Sequence, residues 1–202
     1  SLLGRRCGSD SVTVLIDALR NNDASDLDSA HSHIWRAAIE DHPQDRHRDE
    51  LRDVLISAVR DAAVAILDEN PVSGLEVVTS LLDSEYPVIR RIGIYVGGER
   101  YETAGELVWP RLTNEWVANS NYWHEIYWFL RKGFPKFRTE ERARLVALLD
   151  ALRGPTEGGT AHNLARQRDL LSAVVGMNDA ELDGRFARLV EVNGRPGEHP
   201  DL

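Results

Sequence analysis

The sequence predicts an all-α protein, and three observations carry that expectation. Apolar residues recur three and four positions apart through nearly the whole chain. Strand-like alternation is scarce. Short breaker signals such as Asn-Pro, Gly-Gly and Gly-Pro separate the periodic stretches and leave little room for a sheet.

Val12, Leu15, Ile16 and Leu19 share one face of a first helix that ends near Asn21-Asn22. Ile34, Trp35, Ala38 and Ile39 form a second stripe, which Pro43 stops or kinks. A longer helix follows from Gln44 to Glu69, with Leu51, Val54, Leu55, Ala58, Ala62 and Ile66 inward and Asn70-Pro71 closing it. Leu75, Val78, Leu81 and Leu82 make the next face. Ile89, Ile92 and Val96 make another, and Gly97-Gly98 reads as its C-terminal cap.

The stretch from Tyr101 to Trp116 is interrupted by Pro110. Trp123, Ile126, Tyr127 and Leu130 line a helix that Gly133 and Pro135 close. Thr139 is the expected N-cap of the following helix, with Arg142 at the third position leaving the capping box incomplete. Glu140 and Glu141 suit the positive end of its dipole. Leu145, Leu148, Leu149 and Leu152 face inward before Gly154-Pro155. A helix with Leu164, Leu171, Val174 and Val175 ends near Gly176. The last, capped by Asn178, carries Leu182, Phe186, Leu189 and Val190 as far as Asn193-Gly194. The total is about ten helices joined by short loops.

The chain of 202 residues suits one large domain or a short repeat array. With 42% apolar and 28% charged residues, it has the composition of a folded protein rather than a disordered one. No apolar run approaches the roughly 18 to 20 residues of a membrane span, and no apolar stretch follows the charged start at Ser1 to Arg6. The cytoplasm is the expected compartment. Cys7 is alone and cannot form an internal disulfide. A net charge of −9 opposes broad charge-driven binding to nucleic acid or anionic lipid. Arginine far outnumbers lysine, which occurs only as Lys132 and Lys136, a habit of GC-rich bacterial genomes. A start at Ser1, a single Met177 and a turn-like end at Glu198 to Leu202 read as a piece of a longer protein.

Helices of this length with short connections pack as antiparallel neighbours. The segment from Leu81 to Val96 resembles a HEAT repeat, with Asp83 in the turn, Pro87 opening the second helix, then Val88 and Arg90. Proline fits the first helical turn, where its missing N–H is not needed. Val88 can pack under the preceding helix and Arg90 can reach an acidic turn. The resemblance implies a HEAT-like α-solenoid over residues 1–153. Residues 154–160, with Pro155 and Gly158-Gly159, read as a linker, and 161–202 as a C-terminal helical pair packed on the array.

A second resemblance runs over roughly residues 80 to 202. The stretch from Trp123 to Phe137, the Glu/Arg-rich helix after it, Gly154-Pro155 and His199-Pro200-Asp201 look like helical sensor regions of large bacterial multidomain proteins. Those proteins pair such regions with nucleotidase, sirtuin-like or signal-transduction NTPase modules, and several act in anti-phage defence. No catalytic motif of those modules occurs here, so no site residue carries over.

His31, His33, His42 and His47 lie close in sequence to Asp41, Asp45, Asp49 and Glu50. On a helix, however, His31 and His33 point about 200° apart. No His-x3-His pair or cysteine set supplies a tetrahedral site, so no metal is expected. No Walker-type loop or Gly-x-Ser-x-Gly turn is present, and the spaced acids read as a solvated face. No catalytic residue, cofactor or small-molecule substrate is expected.

Between Trp123 and Arg138, aromatic rings alternate with cations, as base stacking and phosphate contact require. The same pattern describes a packed helix with a basic C-terminal end. Core spacing of Trp123, Ile126, Tyr127 and Leu130 leaves Trp128, Arg131, Lys132, Lys136 and Arg138 as the candidate interaction surface. The expected role is a non-catalytic scaffold that binds a protein partner or other domains of its parent chain. A nucleic-acid-binding HEAT-like domain using this local patch is the alternative.

Overall fold

A computed structural model describes residues 8–27, 32–41, 50–152 and 157–197. Eleven α-helices occur among them, and no strand does. Cys7, His31, His42, Pro43, Asp45, His47, Asp49, Gly154 and Pro155 lie outside the described residues, as does the segment from Glu198 to Leu202.

Helix α1 (Ser9–Leu27) buries Val12 and Leu19 against α3 (Leu51–Glu69) and runs on past Asn21-Asn22. Inward positions of α3 are Ile56, Val59, Ala62, Ala63, Ile66 and Leu67, the spacing of one helical face. Leu51 and Val54, expected inside, are 56% and 50% exposed. Arg52 and Asp53 take the inward face of that first turn instead.

Asn70 both ends α3 and starts α4 (Pro71–Leu82). Its N–H donates to the Ile66 carbonyl at 2.8 Å, and its side chain accepts from the Ser73 N–H at 3.3 Å. Pro71 occupies the first helical position. Gly74 is where the two helices close: a Cβ added there would stand 2.3 Å from the Leu67 Cα.

Helix α5 (Pro87–Glu99) is buried on almost every side, by α3, α4, α6 (Tyr101–Val108) and α8 (Trp123–Gly133). Gly97-Gly98 does not end it; the helix continues to Glu99. The glycines are contact points, since added Cβ atoms would lie 2.4 Å from Val108 Cγ2 and 3.2 Å from Phe129 Cα. In the turn before α5, Pro87 stands at the first helical position and Val88 is fully buried. Arg90 reaches the Ser84 carbonyl and the Tyr122 hydroxyl, while Asp83 is held by Arg111 at 2.7 and 2.8 Å.

A short turn at Trp109–Arg111 accommodates Pro110, and Thr113 caps α7 (Asn114–Ala118). Where α6 meets α8, Trp109 stands edge-on to Phe129 and Phe137, with ring centroids 5.6 and 5.1 Å apart. Its indole N–H donates to the Tyr101 hydroxyl at 2.9 Å.

Helix α9 (Thr139–Ala151) begins one residue earlier than its sequence suggests. Arg138, not Thr139, is the N-cap, which moves Glu141 to the third position. There the Glu141 carboxylate accepts from the Arg138 N–H and, at 2.8 Å, from its guanidinium. These bonds hold the Glu141 carboxyl down at about 2, from an ordinary value of 4.5. A depressed acid stabilises the fold above its unfolded pKa and stops doing so as pH falls through the folded one. The stability gap between wild type and Glu141→Gln should therefore close between pH 4.5 and 2, as thermal melts across that window would show. A gap independent of pH would contradict it.

Helix α10 (Glu157–Ser172) begins inside the segment read as a linker. It packs on α11 (Ala180–Asn193), which is capped by Asp179 rather than Asn178. Asn178 instead takes a positive φ of 64° in the turn. Four arginines tie this pair to the rest: Arg131 to the Ala173 carbonyl, Arg166 to the Val117 carbonyl, Arg142 to Asp179 and Arg185 to Asp150. Leu170, Leu171 and Val174 join the same apolar core as α3 to α9.

Candidate functional site

Helix α2 (Ser32–Trp35) stops before Arg36, so the expected stripe across Ile34 to Ile39 never forms. Ile34 is 73% exposed, while Ala38 and Ile39 are buried in a non-helical segment. Without a helix, its carbonyls need side-chain donors. Three arginines provide them. Arg91 Nη2 donates to Ala37 O at 3.0 Å, Arg36 Nε to Ala38 O at 2.9 Å, and Arg60 Nη1 to Ile39 O at 2.9 Å.

Each guanidinium also has a carboxylate. Arg91 and Glu125 form a two-pronged pair, Nε to Oε2 and Nη2 to Oε1, both 2.9 Å, with neither side chain more than 1% exposed. Glu125 Oε1 accepts in addition from the Ile39 N–H at 3.2 Å. Arg36 pairs with Asp53 at 3.2 Å, and burial pushes that carboxyl above its ordinary pKa against the pull of Arg36. Arg60 pairs with Asp41 and Asp61 at 3.1 and 2.7 Å. The sequence reading did not find this centre. A charge at Arg91 within an apolar helix, and Glu125 one turn from Phe129, were the available signals. Guanidinium groups stay protonated and carry no lone pair for ligation. In this centre they hold the backbone of residues 37 to 39 in place.

The sequence-predicted surface is brought together only in part, and its cations are paired. Lys132 binds Glu99 and lies 5.3 Å from the Trp128 ring centre and 5.8 Å from that of Tyr95. Lys136 meets Glu102 at 3.3 Å. Arg138 binds Glu106 and Glu141. Arg131 is half-buried and turned to the Ala173 carbonyl at 3.2 Å, and Trp128 is half-buried against the core. These cations stitch α8 and the turn after it to α5 and α6.

Beside Lys132 opens a groove of about 480 Å³ between α3 and α5. Asp41, Asp61, Asp68, Glu69 and Glu99 line it against only Arg60 and Arg100, with Val64, Ala65 and Tyr95 between. Arg100 grips Asp68 through two bonds of 2.6 and 2.8 Å, which holds that carboxyl below its ordinary pKa. Burial, with the charge of Glu99, pushes the Tyr95 phenol up to about 12, so it remains protonated at neutral pH.

His33 belongs to a different contact: its Nδ1 lies 2.8 Å from Asn121 Oδ1. Among the described residues no three His, Cys, Asp or Glu side chains are grouped to hold a metal ion, and no helix is long and apolar enough to cross a membrane. Comparison of the whole chain with protein-family models, with curated proteins and with solved structures found no match.

Proposed function

We propose that this chain is a non-catalytic, HEAT-like helical scaffold, a cytoplasmic protein-interaction segment of a larger bacterial protein. In this reading the α3–α5 groove receives a basic segment of a protein partner or of the parent chain. Charge placement carries the proposal: the five carboxylates of the groove outnumber the cations that meet them, Arg60, Arg100 and Lys132, and leave its lining net negative, while Lys132, Lys136 and Arg138 are matched to glutamates. Packing of α3 to α6 on their sequence neighbours supports a stacked array, as does the turn motif of Asp83, Pro87, Val88 and Arg90. A sensor role in a signalling or defence protein is the setting that the second resemblance suggests.

The nucleic-acid alternative needs cations available to phosphate. Fluorescence anisotropy at low salt separates the two, using a lysine/arginine-rich peptide and an oligonucleotide of similar length. The peptide should bind, weaken with added salt, and weaken by roughly tenfold or more when Asp61→Lys and Glu69→Lys are combined. Failure of the peptide to bind would sink the scaffold reading in this form. Oligonucleotide binding that Lys132→Glu reduces would favour the alternative.

A further inference from the structure

A second concavity lies between α9, α10 and α11, and it differs in kind from the acidic groove. Its volume is about 160 Å³, and Leu149, Leu164, Leu171 and Leu189 form apolar walls. Val192, 72% exposed, also lines it and makes an apolar lip. One uncharged polar side chain lines this space: Gln167, only 3% exposed, whose amide Nε2 has no acceptor among the described residues.

An unmet donor in an interior is uncommon and asks for an acceptor. Water is a poor candidate, because a buried water needs two to four polar partners and, besides Gln167, the lining side chains offer it only the donors of two arginines. Two arginines complete the lining. Arg185 is committed to Asp150 at 2.8 Å and Glu181 at 3.1 Å. Arg188 is exposed and forms no ion pair among the described residues. The cavity thus combines an apolar interior, a buried donor and an unspent positive charge.

We propose that this cavity binds a small monocarboxylate with an apolar chain of about six carbons, the size that a cavity of about 150 Å³ admits. The chain lies against the four leucines, a carboxylate oxygen accepts from the Gln167 amide, and Arg188 supplies the counter-charge. The site shares no residue with the α3–α5 groove, so this proposal and the scaffold reading can fail separately.

The test is titration of the protein with hexanoate, followed by calorimetry and by amide NMR shifts. Saturable one-to-one binding is expected, with shifts confined to α9, α10 and α11. Gln167→Leu and Arg188→Gln should each weaken it by about tenfold or more, and 1-hexanol, which lacks the charge, should bind correspondingly less well. Gln167→Leu replaces a donor among leucines by another leucine, so its melting temperature should be unchanged or higher. A merely structural Gln167 would instead lower it. Absence of saturable hexanoate binding, binding that both substitutions leave intact, or a lower melting temperature for Gln167→Leu would each overturn the proposal.

Discussion

Replacing Glu125 by alanine is expected to destabilise the protein by about 3 to 5 kcal/mol, the usual cost of stranding one half of a buried ion pair. Arg91 would remain with no exposed surface and lose both carboxylate bonds. The Ile39 N–H would lose its acceptor as well. Arg91→Met should cost a similar amount, because Glu125 would then be the uncompensated charge and Ala37 O would lose its donor. In the double variant the charges vanish together, so its loss should be clearly less than the sum of the two single losses. It should not return to wild type, since the buried Ile39 N–H stays without its acceptor. Urea unfolding of the four proteins measures this directly. Strict additivity would mean that the pair is not coupled as its geometry requires.

Gly74→Ala should produce the second large effect, a destabilisation of about 3 kcal/mol, at or beyond the upper range for overpacking. Helix propensity alone would make this substitution favourable, because alanine is the better helix former. The neighbour decides the sign. An added methyl meets the Leu67 Cα at 2.3 Å, and backbone can yield only if α3 and α4 separate. Gly97→Ala makes the informative comparison: its close neighbour is Val108 Cγ2 at 2.4 Å, the end of a side chain that can shift. Its cost should be smaller, about 1 to 2 kcal/mol. Equal effects at the two positions in thermal or urea unfolding would count against this account.

The candidate surface shows how far a reading of side-chain types can go. Trp128, Arg131, Lys132, Lys136 and Arg138 were legible as cations and an aromatic outside the core spacing, and three of the cations are indeed exposed. Their occupation was not legible. Glu99, Glu102 and Glu106 lie about thirty residues earlier, and only the stacking of α8 on α5 and α6 brings them within reach. The buried roles of Arg36, Arg60 and Arg91 were not legible, because charged residues are ordinarily expected outside.

Local physics alone determined the all-α class and most helix limits. Apolar spacing, Asn70-Pro71 at the α3–α4 junction and Pro87 at the start of α5 each act through neighbours a few residues away. Tertiary contact decided which face of a helix turns inward and what the glycines are for. Leu51 and Val54 yield the interior to Arg52 and Asp53, and Gly97-Gly98 become places of close approach instead of a cap. The reason is the same in each case. A charge can be buried only where a distant partner and a carbonyl wait for it, and a missing side chain acquires meaning only from what presses against it.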